Sequence, residues 1–404
     1  MQSLRQAKVR HALHYWRIAR AADQMYQRDG QDLQLGLTLF DEEWSNIKAA
    51  QAWAAKNSET DTVAAEMCSF YANDCASLIE LRQHALVWTR WLKEALVAAG
   101  LIGRANAIAI HTGNLGIAYS HIGKTDEAIR HFRKHLALSR QQRDQKGEQT
   151  ALANLGIMYR NRGEVRRSIG FFKKSLTLAL ARSDQRAEGT ALSNLGTSHA
   201  ALGEIHIALT YQQRALSISQ ELKNWRDVGH RLGDMGLLLV DHDPHRSITL
   251  FIEQLKIARQ LQDRRSEAAA IGNLGKAFAL SGRYAVAKEL FDQHLQIARE
   301  IGDVRSQLIA LTNLGAALST LGPSDRGLQA FDEALLIARQ ISDLSGEAKA
   351  LYDKAVALER LGSRRTAIEF AEAALEIFAH IEECVSAFKI KGKLEVWRGL
   401  VEVA

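Results

Sequence analysis

The amino-acid sequence predicts an all-α fold in which helical hairpins stack into a solenoid. Three observations support this. The triplet Asn-Leu-Gly recurs at a nearly constant spacing, the apolar residues around it recur with the period of an α-helix, and the 404 residues include only 2 prolines. Because no strand-like alternation competes with the helical period, stacked helices are the fold class that fits the sequence.

The repeat is defined by the first residue of the triplet. Five copies are intact, Asp234-Met235-Gly236 is a variant, and a degenerate copy begins at Asp353. The repeat length is about 40 residues, which is typical of helical repeat proteins, and only one interval is shorter, by a single residue. The seven positions are Asn114, Asn154, Asn194, Asp234, Asn273, Asn313 and Asp353. A pair of helices of this length cannot bury its own apolar faces, so neighbouring pairs must stack. We therefore expect seven repeats over residues 104–381.

The first helix of each repeat carries apolar residues at positions i, i+3 and i+7, as in Leu152, Leu155 and Tyr159. Nine residues after the Asn position, six repeats have a glycine that we expect to end this helix in a left-handed conformation. These glycines are Gly123, Gly163, Gly203, Gly282, Gly322 and Gly362. The short repeat, which begins with Asp234, has Asp243-Pro244 instead, which predicts a helix cap followed by a first-turn proline.

The second helix of each repeat has a small residue at one fixed position and a leucine eight residues later. The small residues are Ala128, Ser168, Ala208, Ser247, Ala287, Gly327 and Ala367. Together with the glycine of the triplet on the first helix, they predict that the two backbones approach closely. The leucines, from Leu136 to Leu375, are expected to fill the space between pairs.

The pattern L-x-x-L-G-x-x-Y, followed by a glycine and then A-x-x-x-F, resembles the tetratricopeptide repeat in a lengthened form. It is similar to the Pins-type scaffolds and to the repeat arrays of bacterial signalling proteins. The resemblance covers residues 104–381. It implies a right-handed superhelical α-solenoid of helix-turn-helix repeats, and a scaffold that binds a partner in the groove lined by the first helices.

The two ends of the chain lack the triplet. Residues 1–103 are helical in pattern and contain a degenerate repeat, since Leu96 precedes Leu136 by one full repeat length. Residues 382–404 are expected to form a C-terminal capping helix. Its apolar face is predicted to hold Phe388, Ile390, Leu394, Trp397 and Leu400, with the lysines at 389, 391 and 393 on the solvent side.

One N-terminal segment resembles the junction that leads into the sensor of STAND-class signalling ATPases in bacteria. The matching residues are Asp41, Glu43, Asn46, Ile47, Ala50, Trp53 and Ala54. The sequence contains no G-x-x-x-x-G-K-[ST] phosphate loop, so we do not expect ATP binding. An alternative function is therefore that of the inducer-sensing region of such a regulator.

No motif of catalysis, metal binding or cofactor binding is found, and we predict none of these. The densest histidine group, His242 and His245 around Asp243, falls in a predicted turn, whereas His135 and His294 occupy equivalent places in two repeats. Three cysteines argue against a disulfide framework and favour a reducing cytoplasm. No apolar stretch is long enough to cross a bilayer.

The predicted binding site is the groove. In tetratricopeptide arrays the Asn of the triplet often bonds to the backbone of an extended peptide, and the resemblance implicates the same positions here. They are Asn114, Asn154, Asn194, Asp234, Asn273 and Asn313, together with Ile117, Ile157, Thr197 and Lys276 one turn along the same face. The partner would be a protein or an extended peptide. An equally open interpretation is that these amides bond only to neighbouring repeats.

Nucleic-acid binding is a second alternative, of a different class. The chain has 52 basic and 46 acidic residues, a net charge of +6, and local clusters such as Arg162, Arg166 and Arg167. This excess is thin for 404 residues, and such runs are more often solvated helix faces. The composition therefore favours a protein partner over nucleic acid.

Overall fold

The computed structural model describes residues 2–26, 31–82, 85–322, 325–381 and 384–402, which form 20 α-helices and no strand. The predicted all-α fold of helix-turn-helix repeats is confirmed. The chain divides into two compact units, Met1–Asn154 and Leu155–Ala404, and the division falls inside a helix, α8.

In the first unit α1 packs on α2, α3 on α5, α5 on α6 and α6 on α7. They are α1 (Gln2–Tyr26), α2 (Gln31–Asn57), α3 (Thr62–Asp74), α4 (Ala76–Arg82), α5 (Ala85–Leu101), α6 (Ala105–His121) and α7 (Thr125–Gln141), with α8 (Gln145–Asn161) crossing the division. In the segment before the repeats, Trp91 is fully buried and its ring centroid lies 5.5 Å from that of Trp44. The Tyr71 hydroxyl donates to the carbonyl of Ala12 at 2.7 Å. The degenerate repeat and the boundaries assigned to this segment stay a prediction.

In the second unit each helix again packs on the next, from α9 to α20. These helices are α9 (Val165–Ala181), α10 (Gln185–Ala201), α11 (Ile205–Glu221), α12 (Trp225–Leu239), α13 (Pro244–Gln260), α14 (Arg264–Leu280), α15 (Tyr284–Glu300), α16 (Val304–Leu321), α17 (Asp325–Gln340), α18 (Leu344–Arg360), α19 (Arg364–His380) and α20 (Cys384–Glu402). No helix among the described residues is both long enough and apolar enough to cross a lipid bilayer.

The turn inside each hairpin uses the predicted glycine in five of six cases. Gly123, Gly163, Gly203, Gly282 and Gly362 have φ between 73° and 83°. The prediction is wrong at Gly322, whose φ of 158° and ψ of 175° lie outside the left-handed helical region. The sequence continues there with proline, and the proline ring disfavours a helical conformation of the residue before it.

The turn between repeats carries a cap that the sequence analysis did not identify. An aspartate side chain accepts a hydrogen bond from a backbone N–H in the first turn of the following helix, for example Asp184 from Ala187 and Asp303 from Ser306, both at 3.0 Å. The same cap recurs at Asp144, Asp263 and Asp343, and an asparagine provides it at Asn224. Asp243 caps α13 and is followed by Pro244 in the first turn, as predicted.

Within six of the seven hairpins, the glycine of the triplet lies under a side chain of the second helix, and the seventh hairpin has Ala355 at this position. A Cβ atom on Gly156 would lie 2.5 Å from Cε1 of Phe172, and one on Gly275 would lie 2.6 Å from Cε1 of Phe291. The small residues predicted at the fixed position of the second helix are all buried. The close approach of the two backbones therefore depends on both helices.

A second set of contacts adjusts to the size of the residue on each helix. His135 lies against Gly113 and His294 against Gly272, so that a Cβ on either glycine would lie within 2.8 Å of a ring Nδ1. Where the second helix carries Ser175, Ala215, Ala334 or Ala374, the first helix carries Ala153, Ser193, Thr312 or Tyr352 instead of glycine. The two histidines are packing residues of the repeat.

The last helix, α20, buries Ile390, Leu394 and Trp397 in the core of the second unit, and the lysines at 389, 391 and 393 are exposed as predicted. The assignment of Phe388 to the apolar face is wrong, because its side chain is 82% exposed. A helix turns about 200° over two residues, so Phe388 and Ile390 point to opposite sides. The Leu400 side chain lies outside the described residues.

The close contact under Phe291 gives a stability prediction. Gly275→Ala should lower the free energy of unfolding by about 1–3 kcal/mol, because the added methyl must displace the ring or the second helix. Gly170 on α9 is the matched control, since a Cβ there meets no atom within 4 Å. Gly170→Ala should stabilise by up to about 1 kcal/mol through helix propensity. Urea unfolding measures both, and equal effects of the two variants would contradict the packing argument.

The buried His294 gives a pH prediction. Burial lowers its pKa from 6.5 to about 4, so the unfolded chain takes up a proton before the folded chain does. Stability should therefore be lost as the pH falls from about 6.5 to about 4. His294→Gln introduces the residue that Gln254 provides at the equivalent position. The substitution should remove up to roughly 3 kcal/mol of the stability lost at low pH. The urea midpoints of the two proteins between about pH 6.5 and pH 4 measure this difference. Parallel pH profiles would contradict it.

Candidate functional site

The Asn position of every triplet lies on the side of the first helix that faces away from its own hairpin. An α-helix turns about 100° per residue, so residues two apart point in nearly opposite directions. The glycine of the triplet contacts the second helix, which directs the Asn to the opposite side. All seven positions are half-buried.

The asparagine amides are open. In the second unit, the side chains of Asn194, Asn273 and Asn313 make no hydrogen bond to any described residue, and the same holds for Asn114 and Asn154 of the first unit. Among the described residues, the amides therefore do not link neighbouring repeats. Each leaves a donor and an acceptor available to a partner.

The two aspartates at this position differ from the asparagines and from each other. Asp234 accepts hydrogen bonds from the Ser193 hydroxyl of the preceding repeat at 3.0 Å and from Nη1 of Arg231 at 3.1 Å. At this position the side chain therefore bonds to a neighbouring repeat. Asp353 has no hydrogen bond to a described residue, and burial raises the pKa of its carboxyl, while Lys349 and Lys389 act in the opposite direction.

The positions one turn along are also open to solvent. Ile117 and Ile157 are half-buried, whereas Thr197 and Lys276 are exposed. The Thr197 hydroxyl donates to the carbonyl of Ser193 at 3.0 Å. This lining is mixed, partly apolar and partly polar, as the sequence predicted.

A pocket of about 290 Å³ brings several of these positions together in the second unit. It lies among α14, α16 and α18, with α15 contributing to its wall. Its lining includes Lys276, Asn313, Ala316, Asp353, Val356 and Arg360. Of the predicted site residues, Lys276 and Asn313 meet here. The pocket offers an amide, a carboxylate and two cationic groups beside apolar surface.

Three arginines near this row were missed by the sequence analysis. Arg360 lines the pocket and its Nη1 donates to the Thr320 hydroxyl at 2.6 Å. Arg160 and Arg231 lie close to Asp234. An alignment of the repeats would have found Arg231, which lies three residues before the Asn position. Five other repeats have alanine at the equivalent position: Ala151, Ala191, Ala270, Ala310 and Ala350.

The two described cysteine thiols are buried and unpaired. Burial raises the pKa of the Cys68 thiol to about 12, and the Cys75 thiol donates to the carbonyl of Tyr71 at 2.7 Å. A thiol reacts as a nucleophile through its thiolate, which such surroundings disfavour. Within the described part of the chain, no three His, Cys, Asp or Glu side chains are grouped so that they could hold a metal ion.

A family model described as the tetratricopeptide repeat matches three stretches of the sequence, residues 106–181, 147–221 and 306–379. The stretch between the second and third matches contains Asp234 and its short repeat. No curated protein sequence matches the chain.

Solved structures of similar fold include two Rap proteins and one ATPase. A Rap conjugation gene regulator of the plasmid pLS20, in complex with the Phr* peptide, has a TM-score of 0.55 at 13% identity, covering 82% of this chain and 97% of that one. A Rap protein complexed with competence and sporulation factor has a TM-score of 0.50 at 16% identity, covering 79% and 98%.

The third structure is a signal transduction ATPase with numerous domains and a tetratricopeptide repeat sensor, from Pyrococcus horikoshii. Its TM-score is 0.50 at 14% identity, and the match covers 82% of this chain and 52% of that one. At these identities all three comparisons concern the fold alone.

Proposed function

Since this chain is built from tetratricopeptide repeats, we propose that it is a non-catalytic binding protein that holds an extended peptide segment on the first helices of its second unit. The observation that carries the proposal is the row of open amides at Asn194, Asn273 and Asn313. These amides have no partner among the described residues although they are half-buried. A half-buried amide is partly desolvated, and a partner that supplies the missing hydrogen bonds restores what the amide loses.

An extended peptide fits such a row because its backbone offers both N–H and C=O groups at regular intervals. A carboxamide can donate to the carbonyl and accept from the N–H of the same peptide, whatever its side chains. The pocket that contains Asn313 then supplies room for a side chain next to the row. The two Rap structures contain a bound factor or peptide, which makes a peptide a reasonable ligand for a protein of similar fold.

The cellular setting is part of the proposal. Two buried, unpaired cysteines favour a reducing compartment, and we propose the cytoplasm. Signal transduction is the process in which we expect the binding to act.

A second candidate is the sensor region of a STAND-type regulator. It is supported by the motif in α2, where the Asn46 amide donates to the Glu43 carboxylate at 2.7 Å and Ile47, Ala50 and Ala54 are buried. An ATPase encoded in frame with this chain or next to it would favour this candidate. This candidate differs from the first in the larger protein or complex to which the chain would belong. The proposed binding groove is the same in both.

The row of amides gives a binding prediction. Peptides are first selected from a randomised bead library with acetylated N-termini. Replacing both Asn273 and Asn313 by Ala should weaken binding of a selected peptide by about 1–3 kcal/mol, since two hydrogen bonds are lost. The melting temperature should change little, because neither amide bonds to another described residue. Calorimetric titration and thermal unfolding measure the two effects.

The matched control removes two exposed amides from second helices, Gln213 on α11 and Gln293 on α15. Gln213→Ala with Gln293→Ala should leave peptide affinity unchanged. An asparagine variant that melts much earlier but binds normally while folded would refute the amide row. Failure to select any peptide would refute peptide binding itself.

A further inference from the structure

The carboxylate of Asp234 is part of a charged cluster with side chains from α8, α10 and α12, and all of these residues belong to the second unit. It accepts from the Ser193 hydroxyl on α10 and from Arg231 on α12. Arg160 on α8 is close enough for its guanidinium to be stabilised by the same carboxylate. The Cζ atom of Arg160 also lies 5.7 Å from the centroid of the Phe172 ring.

Both guanidinium groups have nitrogens without partners. Nη1 of Arg160 and Nε of Arg231 are buried and make no hydrogen bond to a described residue. The Arg231 side chain is only 13% exposed. A buried N–H that lacks an acceptor costs free energy, and more so when it belongs to a charged group. Burial accordingly lowers the pKa of Arg160, which Asp234 only partly offsets.

The two arginines are not required by the packing of a repeat. The register of Arg231 holds alanine in five other repeats, and the register of Arg160 holds residues such as Ser120, Ala200, Ala279 and Ser319. The fold thus accommodates small residues at both places. The arginines and Asp234 occur together only in this part of the chain.

We propose that Arg160 and Arg231 form a subsite for the carboxylate of an Asp or Glu side chain carried by the bound peptide. This inference rests on the proposed function, since it assumes a peptide along the same row. The unpartnered N–H groups are the donors that a carboxylate accepts from, and the guanidinium fork matches its geometry. Asp234 remains bonded to Ser193 and Arg231, so the two arginines leave one positive charge in excess. That balance fits one carboxylate better than a doubly charged phosphate.

The place of the cluster in the row indicates a side chain and not a chain terminus. Asn194 precedes Asp234 in the row, and Asn273 and Asn313 follow it. A peptide bonded to amides on both sides continues past the cluster in both directions. The group that it presents to Arg160 is therefore an internal residue.

The test is a double-mutant cycle with peptides selected from the randomised, end-blocked library. We expect them to share an Asp or Glu at one position, and replacing that residue by Gln or Asn should weaken binding to the unaltered protein about tenfold or more. In Arg160→Gln the same peptide change should have a much smaller effect, because only Arg231 remains and its charge is offset by Asp234. Arg160→Lys should recover only part of the preference, since lysine lacks the fork.

Arg167→Gln is the control. Arg167 lies on α9 of the same hairpin, and its substitution removes the same charge from an exposed position. It should keep the full preference for the acidic residue. If Arg160 has only a structural role, Arg160→Gln should weaken the binding of acidic and neutral peptides equally. That result would overturn the proposed subsite. Selected peptides without a shared acidic position would overturn it too. If no peptide is selected at all, the proposed function itself fails.

Discussion

The close approach of two helices in each hairpin is the constraint on which the rest of the structure depends. In six of the seven hairpins it uses a position without a Cβ on the first helix, with Ala355 in the seventh, and a small residue on the second. A side chain of the second helix then fits over the backbone, as the ring of Phe172 does over Gly156. The ring excludes water from the hairpin and fixes the rotation of the first helix. Because an added Cβ would come within 2.5 Å of that ring, the register of the two helices has little freedom.

The same constraint exposes the candidate binding surface. Once the glycine is fixed against the second helix, the residue two positions earlier must point away from it, since a helix turns about 200° over two residues. That residue is Asn or Asp in every repeat. The amides are therefore presented by the packing of the hairpin itself, and the residue at this position can vary without disturbing the core. Asp234 and Asp353 illustrate this, because one is tied to Ser193 and the other has no hydrogen bond to a described residue.

Size compensation across the hairpin explains how the repeats tolerate different residues. A histidine or glutamine on the second helix is matched by glycine on the first, as at His294 and Gly272 or Gln254 and Gly233. Where the second helix has alanine or serine, the first helix has a residue larger than glycine. The buried imidazoles follow from this compensation and need no catalytic explanation, while burial keeps His294 neutral at neutral pH. By contrast, most other repeats have small residues at the positions equivalent to Arg160 and Arg231, which sets their cluster apart.

The sequence by itself determined the helices, the repeat length, the hairpin contact and the side of the helix that carries the Asn row. These features depend on residues close together in the chain, and the nearly constant period presents the same local signal seven times. The sequence also contains the residues of the helix caps between repeats, which recur with the same period, although the caps were not identified from it. The conformation of Gly322 was predicted wrongly because the proline that follows it disfavours a helical conformation of the preceding residue.

The tertiary structure alone decided which amides are open and which side chains are paired. Asp234 bonds to Ser193, 41 residues earlier in the chain, and Arg160 approaches the same carboxylate from another helix. It likewise placed Phe388 in solvent while Ile390 and Trp397 entered the core. Such outcomes depend on where separate helices meet, and the identity of one residue does not specify the distance to a partner in another repeat.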